Sequence, residues 1–142
     1  MKKKPIIFLS YAHSDQDAVK RIYEKLMSEG YAPWMDQYGI LPGENWERSI
    51  HVAINKADFI LVFLSDHSIN RRGFLQREIR EALNIWQTML MDDIYLIPVR
   101  LSPCTVPDEL SSFQWVDMFD RTGWNKLKSA IEIGSKRRKN SP

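Results

Sequence analysis

Along the chain, compact apolar runs alternate with longer stretches in which apolar residues recur at helical spacing. PIIFLSY at 5–11 has the length of a strand. Beyond it, Ala18, Val19, Ile22, Tyr23, Leu26 and Met27 mark one face of a helix, with Ser14 and Asp17 in a capping-box pattern ahead of it and Gly30 as its stop. The run 31–35 predicts a second strand, placed at a sheet edge because Pro33 lacks the amide an interior strand donates. Two glycines and a proline in DQYGILPGE at 36–44 predict a loop. Trp46, Ile50, Ala53 and Ile54 then begin a second helix.

DFILVFL at 58–64 is apolar with almost no alternation, the pattern of a strand covered on both faces. A polar loop at 65–72 leads to a third helical stripe, Leu75, Ile79, Ala82, Leu83, Trp86 and Leu90. The run 94–99 predicts a fourth strand and 113–118 a short fifth, after which Thr122 opens a last helix carrying Trp124, Leu127 and Ile131. Strands alternating with helices build parallel βαβ units. The expected fold is therefore α/β and flavodoxin-like: a five-stranded parallel sheet in the order 2-1-3-4-5, with helices on both faces. Ligands of such sheets bind where the winding reverses, at the carboxyl ends of strands 1 and 3. That rule brings Ser10, Tyr11, His13, Ser65 and Asp66 to one crevice, with the 36–44 loop overhanging the same edge.

A length of 142 residues suits one domain, expected at 5–134 between a basic tail at 1–4 and a basic, disordered tail at 135–142. No apolar run approaches the roughly 18 residues of a membrane span, and the basic start lacks a small-residue cleavage site. The single cysteine, Cys104, excludes an intrachain disulfide and a multi-cysteine metal site, which fits a reducing cytoplasm. The net charge of +2 hides an asymmetry: the tails hold seven of the 20 basic residues, leaving 13 against 18 acidic ones, or −5, between them. That segment lacks the positive footprint of a nucleic-acid binder, and no such partner is expected.

The crevice also excludes several chemistries. YAHSDQD after the first strand carries no glycine, and no phosphate-cradling GxxxxGK[ST] motif occurs. A phosphoacceptor site finds only a loose echo in Asp15 and Asp66, since the fifth strand ends on Phe119-Asp120-Arg121 without a lysine. His13, His51 and His67 are too widely spaced to suggest ligands, so no metal site is expected. Cys104, flanked by Pro103 and Pro107, reads as a half-buried structural thiol. Glu78 differs from an ordinary helix-surface glutamate in having no basic residue three or four positions away. Its neighbours there are Phe74, Leu75, Glu81 and Ala82, and an aromatic ring and a like charge raise a carboxyl pKa. Taken alone, the position also suits a plain solvated glutamate.

FLSYAHSD at 8–15, WMDQYGILPGENWERSI at 34–50, DFILVFLSDHS at 58–68, GFLQREI at 73–79 and LIPVRL at 96–101 resemble, in order, the motifs of Toll/interleukin-1 receptor (TIR) domains of the bacterial type. The likeness spans about residues 4–133. Many such domains cleave the nicotinamide–ribose bond of NAD+, and others are adaptors that act by assembly alone. The resemblance implies a catalytic glutamate in an aromatic-x-x-x-Glu pattern, which falls on Phe74 and Glu78. Tryptophan is commoner than phenylalanine at the aromatic position.

The implied activity is an NAD+ glycohydrolase serving bacterial defence or virulence signalling, with NAD+ as substrate and no cofactor. Ser10, Tyr11, His13, Gly43, Trp46 and Phe74 are the implied substrate contacts. Tyr11 and Trp46 suit a core position as well as a crevice wall. Ile40, Leu41, Pro42 and Gly43 form the implied assembly loop for self-association, a segment that equally suits packing on its own domain. A separate or fused sensor is a further implied partner. Two alternatives stand beside the enzyme: a non-catalytic TIR scaffold for signal transduction, and a nucleoside-processing transferase on the same fold class.

Overall fold

The computed structural model describes residues 4–69, 77–89 and 93–139, with the backbone alone for Arg77, Glu78 and Lys139. Strands β1 (Ile6–Ser10), β2 (Ala32–Trp34), β3 (Phe59–Leu64), β4 (Leu96–Arg100) and β5 (Val116–Asp117) form one parallel sheet in the order β2-β1-β3-β4-β5. This is the order the alternating pattern predicts. Among the described residues, five α-helices accompany it: α1 (Gln16–Ser28), α2 (Asp36–Gly39), α3 (Trp46–Lys56), α4 (Arg77–Trp86) and α5 (Gly123–Lys139).

The unbroken apolar run of β3 reflects burial on both sides, because alternate side chains enter two different cores. Phe59, Leu61 and Phe63 meet Val19, Ile22 and Leu26 of α1 and Leu127 and Ile131 of α5. Ile60, Val62 and Leu64 meet Ile50, Ala53 and Ile54 of α3 and Ile79 and Ala82 of α4. Helices therefore cover both faces, and β2, with Pro33, lies at the edge.

Four local expectations are corrected. Ser14 does not cap the first helix: it lies in a 3₁₀ turn, His13–Asp15, and α1 begins at Gln16 without a side-chain cap. The Asp15 carboxylate instead accepts the buried Ser65 hydroxyl at 2.9 Å. The 36–44 segment is not loop throughout, because the Tyr38 and Gly39 amides bond the Met35 carbonyl and wind α2. The fifth strand shrinks to Val116–Asp117. Finally, α5 runs past residue 134 to Lys139, so 135–139 is helix and not tail. Arg138 explains why: its guanidinium lies 4.3 Å over the Phe59 ring, donates to the Ile94 carbonyl and sits 3.9 Å from Asp58.

So short an edge strand needs a second fastening. Arg100, paired in register with Asp117, donates to both of its carboxylate oxygens at 2.6 and 2.8 Å and to the Cys104 carbonyl at 2.7 Å. The guanidinium also lies 5.6 Å from Trp115 and 5.5 Å from Phe119. Arg100 holds the Asp117 carboxyl below its ordinary pKa, so the pair stabilises the fold above the unfolded carboxylate range and fades as pH falls through the folded value. Asp117→Asn should cost about 1–3 kcal/mol in urea unfolding near neutral pH. The gap to the unaltered chain should close in acid.

Candidate functional site

A cavity of about 1150 Å³ opens at the carboxyl end of the sheet, on the side covered by α3 and α4. Its floor is the end of β1, Phe8 to Ser10, with Trp34 of β2 stacked on Phe8 at 5.0 Å and an interplanar angle of 10°. Gly39 of α2 abuts the Trp34 indole so closely that a Cβ there would overlap the ring. That contact fixes one wall.

Of the residues that sequence reasoning assigned to substrate, Ser10, Tyr11, His13 and Trp46 all line this cavity. Ser10 is buried and His13 exposed. Tyr11 proves to be both of its alternatives: it packs on the core beneath α1 and α5, and it borders the cavity. Its hydroxyl donates to the Asp36 carboxylate. Burial, reinforced by that bond, pushes the phenol well above its ordinary pKa, so it stays neutral. Trp46 is no core residue. It begins the apolar stripe of α3 yet is 55% exposed and lines the cavity.

Gly43 lies away from the lining, at φ +91° with open space where a Cβ would stand, so the turn needs its glycine for backbone reasons. Within the assembly loop, Ile40 is half-buried against its own domain, whereas Leu41 is 65% exposed and Pro42 is also exposed. Leu41 and Trp46 belong to one hydrogen-bonded stretch. The Leu41 amide donates to the Glu44 carboxylate at 2.7 Å, the Glu44 amide returns to the Leu41 carbonyl at 3.0 Å, and Asn45 caps α3 through the Arg48 amide at 3.0 Å. Phe74 lies outside the described residues. Glu78 is a residue of α4, whose following turn, Arg80, Glu81 and Asn84, borders the cavity; the Glu78 side chain itself is outside the described set.

At the end of β3, Ser65 and Ser68 are buried and bond each other, the Ser65 hydroxyl also donates to Asp15, and the exposed Asp66 accepts the Ser102 hydroxyl at 2.8 Å. The described lining of the cavity comes from the end of β1 and from β2, α3 and α4. Sequence reasoning also missed a bridge across it: His51 of α3 meets the Glu81 carboxylate of α4. Glu81, expected only to repel Glu78, is thus engaged elsewhere. Cys104 is half-buried, as expected, and burial raises its thiol pKa.

The family model described as a TIR domain matches residues 7–131. The chain belongs to the TIR family. Among curated proteins, it is 25% identical over 99 residues to the NAD(+) hydrolase TcpA of a Theionarchaea archaeon, an alignment covering 62% of this chain and 30% of that protein. It is 24% identical over 115 residues to the 2′ cyclic ADP-D-ribose synthase BtTIR of Bacteroides thetaiotaomicron, covering 73% and 38%. The chain thus spans roughly a third of the length of these relatives. Among solved structures, the TIR domain of the Toll-related receptor TRR-2 of Hydra magnipapillata superposes with a TM-score of 0.68 at 21% identity, covering 89% of this chain and 97% of that one. At that identity the likeness speaks for the fold.

Proposed function

We propose that this domain cleaves the nicotinamide–ribose bond of NAD+, with Glu78 as the catalytic carboxylate, and that self-association through the Leu41 loop activates it. The observation that most supports this reading is the cavity. It gathers Ser10, Tyr11, His13 and Trp46 beside the helix that carries Glu78, and its volume exceeds the roughly 300–1,000 Å³ of an ordinary small-molecule pocket. Relatives named as an NAD(+) hydrolase and a cyclic ADP-ribose synthase point to the same bond.

The chemistry follows from charge. Nicotinamide is cationic in NAD+ and leaves neutral, so its departure needs no general acid. Positive charge grows instead on the ribose, and a carboxylate beside it stabilises the oxocarbenium-like transition state. Trp46 offers an exposed ring face to a flat heterocycle, and Tyr11, fixed by Asp36, supplies a neutral edge. Hydrolase and cyclase products diverge only in what attacks the same cation. NAD+ is consumed in this reading, and no cofactor takes part.

The deciding measurement is incubation of concentrated protein with NAD+, with chromatography of the products. Free nicotinamide together with ADP-ribose or a cyclic isomer is expected. Intact NAD+ at every protein concentration would favour the non-catalytic scaffold. Cleavage of free nucleosides in preference to NAD+ would favour the transferase.

A further inference from the structure

We infer that Arg48 and Arg80 form the seat for the diphosphate of the dinucleotide, an inference that rests on the reading of the cavity as an NAD+ site. Arg48 comes from the first turn of α3 and Arg80 from α4, and both border the same cavity. The His51–Glu81 bridge ties these two helices together. Arg48 stands one turn before His51, and Arg80 directly precedes Glu81. Two cations are thereby brought to one opening from helices whose relative position is fixed.

The acids and the arginines of the cavity differ in whether the protein supplies them with partners. Its acids are occupied: Asp36 accepts from Tyr11 and from the Gln37 amide, Glu81 meets His51, and Glu47 also has a partner. Its guanidiniums are not. Among the described residues, neither Arg48 nor Arg80 has an ion-pair or hydrogen-bond partner for its side chain. Arg100 and Arg138, in the same fold, both have theirs. The cavity thus keeps two guanidinium forks without a protein partner, and the diphosphate is the part of NAD+ whose paired non-bridging oxygens and negative charge match them.

Two titrations and one kinetic comparison test the assignment, using Arg48→Ala, Arg80→Ala and the double variant. ADP-ribose and inorganic pyrophosphate should each bind the unaltered chain. Both should weaken about tenfold or more in the double variant and with rising salt, while adenosine binding should not change. In nicotinamide release, the double variant should raise KM for NAD+ far more than it lowers kcat. NAD+ cleavage with an unchanged KM in the double variant would overturn the seat and leave the catalytic reading intact. Absence of pyrophosphate and ADP-ribose binding to the unaltered chain would overturn it too. Binding that is lost in the double variant, from a chain that never releases nicotinamide, would sustain the anion seat and sink the catalytic reading.

Discussion

Glu78→Gln is expected to slow nicotinamide release from NAD+ by about 10²–10³-fold, the usual consequence of removing one preorganised electrostatic partner of a transition state. Glutamine keeps the volume and a hydrogen-bonding oxygen, so ground-state contacts with ribose hydroxyls are largely preserved. What it loses is the negative charge, which counts most as positive charge moves from the nicotinamide onto the ribose. The loss should fall on kcat, with KM nearly constant. Thermal unfolding should be unchanged, because the core face of α4 is carried by Ile79 and Ala82. Equal release with and without the carboxylate would show that another group carries the reaction.

The second large effect concerns assembly. Leu41 is 65% exposed at the tip of its loop, and burying such a side chain against a neighbour is worth roughly 1.5–3 kcal/mol. That corresponds to about a tenfold to hundredfold change in association. Activity per molecule should therefore rise with protein concentration in the unaltered chain, as the competent state is populated by mass action. Leu41→Asp should remove that rise while leaving the thermal midpoint of the monomer in place, since the side chain contributes little to its own core. Constant specific activity of the unaltered chain across a hundredfold dilution would overturn the assembly requirement.

The layout of the sheet was legible because its signals are local and repeated. Each strand-length run is followed by a helical stripe, and the lack of alternation in 58–64 encodes burial of Phe59 to Leu64 on both faces. The corrections arise where a distant partner decides a local matter. Ser14, the expected cap, falls inside a 3₁₀ turn, and Asp15, which takes the N-cap position, is bound by Ser65, fifty positions away, so α1 starts without a side-chain cap. Arg138 is held by Phe59 and the Ile94 carbonyl, which turns an apparent tail into the end of α5. Ser10, Tyr11 and His13 could be placed beside the cavity from topology alone, because in a 2-1-3-4-5 sheet the end of β1 meets the winding reversal. Trp46 could not be settled from periodicity, which marks a stripe without saying where along it burial ends. Arg48, Arg80 and the His51–Glu81 bridge left no sequence signal, since their meaning depends on α3 lying beside α4.

The stretch from Leu41 to Trp46 is short, internally hydrogen-bonded and continuous with α3. A neighbouring molecule that holds Leu41 and a substrate that rests on Trp46 would order the same few residues. Linked equilibria are reciprocal: whatever factor assembly adds to the affinity for NAD+, NAD+ returns to assembly. The domain would then respond to the supply of its own substrate as well as to crowding. Association curves taken with an uncleavable NAD+ analogue should lie at lower protein concentration than those taken without it. Leu41→Asp should bring the two together.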